Sequence, residues 1–84
     1  MKAREFVFDA ISLERENQLD VWGFRGNNCS SSEYILFIEK KLNQAKDDSY
    51  FFNEESIELQ MISIAALAVS YLENKRLNAV NSHP

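Results

Sequence analysis

The longest unbroken helical pattern runs from Asn53 to Arg76, NEESIELQMISIAALAVSYLENKR, with neither Gly nor Pro inside it. Between Met61 and Val69 the only polar residue is Ser63. A helix that is apolar on one stripe covers a core, whereas one apolar almost all round is buried on several sides. The pattern therefore predicts a central helix over 53–77. Asn53 is placed to cap it, and Glu54 and Glu55 put negative charge in its first turn. Phe52 and Ile57 have the spacing of a hydrophobic staple, and Lys75 and Arg76 suit the other end.

Ahead of it, Ala3, Val7, Ala10 and Ile11 fall on one helical stripe, which predicts a first helix over 2–19. Phe6 and Leu13 widen that stripe, while Arg4, Phe8 and Arg15 lie on another side. The same line continues through Glu14 and Gln18 to Val21 and Trp22, so a core-facing line turns polar halfway along. Either the helix emerges from the core there, or these polar groups find partners or line a cavity. Asp20 to Ser32 reads as a loop: Gly23 and Gly26-Asn27 supply turn chemistry, and Trp22 and Phe24 flank Gly23. Glu14, Gln18, Trp22 and Phe24 are the candidate binding residues. The loop has no Gly-Lys-Ser/Thr and no strand before it, which excludes a phosphate loop.

Ser30 and Glu33 have capping-box spacing and open a second helix over 31–46. Tyr34, Ile35, Ile38, Leu42 and Ala45 form its expected buried stripe, with Glu39, Lys40 and Asn43 on a solvated face. Leu36 and Phe37 lie off the stripe. The segment 47–52, DDSYFF, is expected to be a turn whose aromatics close the core. Together the elements predict a small all-α, antiparallel bundle of three main helices in one domain over 1–80, with a frayed tail over 81–84. Three helices cannot cover every side of a helix this apolar. Self-association is therefore expected, as a homodimer contacting through Leu36, Phe37, Ile64 and Leu67.

Composition narrows the function classes. Eighty-four residues make one small core. Nine basic and thirteen acidic residues leave a net charge of −4, which disfavours direct nucleic-acid binding and suits a basic partner. The single Cys29 has no internal disulfide partner, and the one histidine, His83, stands beside the terminal Pro84. No signal-peptide run follows Met1, and the apolar run Met61–Leu72 is shorter than the roughly 20 residues needed to cross a bilayer. A cytoplasmic protein with no membrane contact is expected.

The run Ile11-Ser-Leu-Glu14-Arg15-Glu-Asn-Gln18-Leu-Asp-Val-Trp22-Gly23 resembles the start of the phage and bacterial MazG-like nucleotide pyrophosphohydrolases, which carry Glu-Arg-x-x-Gln and then Trp-Gly. Phe37-Ile-Glu39-Lys-Lys-Leu-Asn-Gln-Ala45 sits where that family has Glu-Glu-x-x-Glu ahead of Ala, and Ile62 to Glu73 looks like its apolar third helix. The resemblance implies magnesium held by carboxylates of neighbouring helices and a water that attacks a triphosphate. Only Glu39 matches that set. Lys40 and Asn43 replace the next two carboxylates, and Gln60 and Ser63 stand near the further acidic positions. An ammonium in place of a carboxylate opposes cation binding. The sequence therefore reads as a non-catalytic binding protein without a cofactor, of the kind that serves a phage as an accessory or as an inhibitor of a host defence or nucleic-acid enzyme. The alternative is a divergent magnesium-dependent pyrophosphohydrolase with a rearranged site of Glu14, Glu39 and Glu58.

Overall fold

The computed structural model describes residues 2–22 and 30–81, with the backbone alone for 20–22 and 77–81. The described chain is all-α, without strands: α1 (Lys2–Trp22), α2 (Ser31–Tyr50) and α3 (Glu54–Asn81). Phe24, Cys29, His83 and the end of the expected tail lie outside the described residues, and so does the side chain of Trp22.

Each helix runs past its expected end. α2 opens on the capping box: the Ser30 hydroxyl accepts from the Glu33 N–H, and the Glu33 carboxylate accepts from the Ser30 N–H. It then continues through Asp47, Asp48 and Ser49, poor helix formers, of which Asp48 and Ser49 here find side-chain partners. The Ser49 hydroxyl donates to the Lys46 carbonyl at 2.7 Å, and Asp48 accepts from the Ser56 hydroxyl on α3. The connection shrinks to 51–53. Phe52 takes φ 54°, in the left-handed region that a Cβ disfavours by about 1–2 kcal/mol, because a reversal this tight requires it. Phe51 and Phe52 consequently point to solvent rather than closing the core, contrary to the expectation from the sequence. Asn53 caps α3 as expected, its side-chain carbonyl accepting from the Ser56 N–H at 3.3 Å.

α3 is the central element. α2 returns along it antiparallel, joined to it near Tyr34 and Asn74 at one end and Asp48 and Ser56 at the other. α1 runs in the same direction as α3, its first half beside Met61 and Ile62, and its Arg15 reaching Glu73. Gln18, one turn beyond Arg15, reaches back to Ser63, so α1 crosses α3 rather than lying along it. Among the described residues α1 and α2 do not pack on each other. The result is a flat molecule of 51 × 32 × 19 Å whose core is the middle of α3, with Ser63, Ala66 and Leu67 buried. By length and composition Glu54–Arg76, 23 residues long, is apolar enough to span a membrane. α1 and α2 pack on it, and 17% of its most apolar window is buried inside the chain.

The expected stripe of α2 is only partly right. Tyr34 and Ala45 are buried and Ile38 is half-buried, but Ile35 and Leu42 are exposed. The inward line is instead Tyr34, Ile38, Lys41, Ala45 and Asp48, a spacing of alternately four and three residues that follows one straight neighbour. On α1, Ala10 and Ile11 are half-buried, whereas Ala3 and Val7 are exposed.

Candidate functional site

The face of α3 turned toward α2 is polar. Ser56 donates to Asp48, and the Tyr34 hydroxyl meets the Ser70 hydroxyl at 3.0 Å and accepts from the Asn74 amide at 2.8 Å. The Tyr71 and Ser31 hydroxyls meet at 3.2 Å, and the rings of Tyr34 and Tyr71 pack edge to face at 5.5 Å. Ser56, Gln60, Ser63, Leu67, Ser70 and Asn74 recur at spacings of four and three, and Leu67 is the one aliphatic residue in that line. Hydrogen bonds thus close this seam, and the few buried hydroxyls and amides specify its register. The Gln60 carbonyl oxygen, by contrast, is buried with no hydrogen-bond partner. Tyr71 has its pKa lowered from 10.0, first by the Ser31 hydroxyl and then by the Lys75 ammonium, which lies 5.9 Å from the ring centre.

The polar half of α1 meets α3 at a second cluster. The Gln18 amide donates to the Ser63 hydroxyl at 3.2 Å, to the Ser63 carbonyl at 3.3 Å and to the Glu14 carboxylate at 3.4 Å. Arg15 pairs with Glu73 at 2.7 Å, and its Nε is buried without a partner. Glu14 and Gln18 therefore fasten α1 to α3 through one serine. Both are half-buried, and no cavity at them is needed to account for their position on the core-facing line.

Glu39 lies on the exposed side of α2, and Glu58 is exposed on α3, where it lines a groove with α1. Glu14 is engaged with Gln18. Among the described residues no three His, Cys, Asp or Glu side chains group as a metal site would require. The residues expected at a self-association surface separate. Leu36 is exposed, Phe37 and Ile64 are half-buried, and Leu67 is 1% exposed inside one chain, which removes it from any surface.

What the sequence reading missed is how much apolar surface stays open. Phe6, Val7, Ala10 and Ile11 of α1 form a groove of about 240 Å³ with Met61, Ile62 and Ala65 of α3, and Phe6 is 72% exposed. Ile35, Leu36 and Leu42 are exposed on α2. The signal was available in the polar line of α3: if Ser56, Ser70 and Asn74 face α2, then Leu59, Met61 and Leu72, which lie off that line, face elsewhere.

No family model matches the chain, no curated protein matches it, and no solved structure matches it.

Proposed function

We propose that this chain is a non-catalytic, acidic helical protein that acts by protein–protein binding through the apolar faces of its helices. One observation carries the reading. α3 turns its polar stripe inward onto α2 and leaves Met61, Leu59 and Leu72 outward, the reverse of a helix that has completed its own core. The surface area supports it. A compact chain of 9.7 kDa is expected to expose about 5,100 Å², whereas this one exposes 6870 Å². The net charge of −4 favours a basic partner surface, such as the cleft of a nucleic-acid or host-defence enzyme, and a cytoplasmic setting fits this reading.

Two measurements test it. Phe6→Ser and Ile35→Ser are expected to leave the stability of the isolated chain within about 0.5 kcal/mol, since both side chains lie outside its core. Losses of 2 kcal/mol or more would show that these faces serve folding. Nucleoside triphosphates assayed with magnesium or manganese are expected to show no hydrolysis above background. Turnover that disappears in Glu14→Gln or Glu39→Gln would replace the binding reading with the pyrophosphohydrolase one.

A further inference from the structure

The side of α3 away from α2 carries a line at the same heptad spacing as its inward seam: Glu58, Met61, Ala65, Ala68, Leu72 and Lys75, of which the first three also line the groove with α1, so that α1 rims any partner seated there. Met61 is 52% and Leu72 59% exposed, Ala65 and Ala68 are half-buried, and Glu58 and Lys75 are exposed. The line reads the same chemically from either end. It is charged at the tips, has a large flexible apolar side chain one step in, and alanines at the centre. The charges at the tips are opposite. The start of α3 carries Glu54, Glu55 and Glu58, and its last described side chains include Lys75 and Arg76.

We infer that a second copy of this chain covers α3, with the two α3 helices antiparallel about a two-fold axis between Ala65 and Ala68. In that register Met61 faces the second copy's Leu72, Ala65 faces its Ala68, and Glu58 faces its Lys75. Every contact occurs twice, as an isologous interface requires. The central alanines let the helix backbones approach closely, and the methionine and leucine side chains flank that approach. A parallel arrangement would set Glu58 against Glu58 and Lys75 against Lys75, like charge on like, so charge selects the antiparallel one. The inference rests on the reading of the open apolar faces as binding surfaces and names the occupant of one of them.

The test uses the full chain with Cys29→Ser, into which Met61→Cys and Leu72→Cys are introduced separately. Light scattering is expected to give the mass of a dimer at micromolar concentration. On mild oxidation each variant alone should stay uncrosslinked, because identical positions sit about 16 Å apart along the antiparallel pair. A mixture of the two should give a covalent dimer. Crosslinking of either variant alone would overturn the antiparallel register. A helical chain that stays monomeric would overturn the second copy as occupant, whether or not it settles on lipid vesicles. The serine variants above would still judge the broader binding reading independently. Charge reversal provides a check that leaves the core untouched. Glu58→Lys and Lys75→Glu should each weaken the dimer about tenfold, and the double reversal should restore it. Single reversals without effect would place the interface elsewhere.

Discussion

Replacing Leu67 by alanine is expected to cost about 3–4 kcal/mol and to leave the chain close to its unfolding midpoint in water at 25 °C. Leu67 is the largest side chain buried to below 2% exposure among the described residues, and it sits on the inward line of α3 between Ser63 and Ser70. Its replacement leaves a void where the missing methyl and methylene groups stood. Closing it by moving α2 would pull Tyr34 away from Ser70 and Asn74, whose hydrogen bonds hold that helix in register. A chain of this length holds about 4–12 kcal/mol in total, and its small core places it toward the low end. Urea unfolding followed by circular dichroism, at one fixed chain concentration, measures the loss. A cost under about 1 kcal/mol would show that the stabilising core lies outside the middle of α3.

The second large effect falls at Tyr34, where ring and hydroxyl are separable. Tyr34→Ala is expected to cost about 4 kcal/mol, in the range for removing a buried aromatic ring. Tyr34→Phe keeps the ring and its edge-to-face contact with Tyr71, and should cost about 1–2 kcal/mol. The hydroxyl is the meeting point of the Ser70 hydroxyl and the Asn74 amide, so its removal leaves two part-buried groups short of a partner. Adding Asn74→Leu to Tyr34→Phe should recover part of the loss, because both ends of that hydrogen bond are then apolar. A Tyr34→Phe variant as stable as the parent would mean that the seam is held by packing alone.

The helices were legible because their ends are written in short-range chemistry. Ser30 with Glu33, and Asn53 with its two following glutamates, act within four residues and cannot be overruled by distant partners. Facing was less legible. Ile35, Leu36, Ile38 and Leu42 allow several apolar stripes on α2, and the choice among them is made by Tyr34 and Asp48, polar side chains whose partners lie on another helix. A pattern of apolar residues cannot reveal a seam closed by hydroxyls and amides. For the same reason Leu67, expected at a surface between copies, proved to be the centre of a single chain. At the polar turn of α1 the sequence left open whether the helix leaves the core at Glu14; Gln18 stays on α3, because Ser63, the lone polar residue in the apolar run of that helix, partners it.

Among the described residues α1 and α2 do not pack on each other, and this sets an order of assembly. α2 and α3 are neighbours in sequence joined by three residues, so their pairing closes a short loop. α1 must find partners some 45 positions away, as Gln18 does at Ser63. The hairpin is then the nucleus, and α1 docks on its finished surface. Substitutions that loosen the dock, such as Gln18→Leu or Glu73→Gln, should leave the refolding rate unchanged and speed unfolding. Substitutions in the hairpin seam, such as Ser70→Ala, should slow refolding instead. Stopped-flow chevrons in which Gln18→Leu slows folding as much as Ser70→Ala would show that all three helices meet in the transition state.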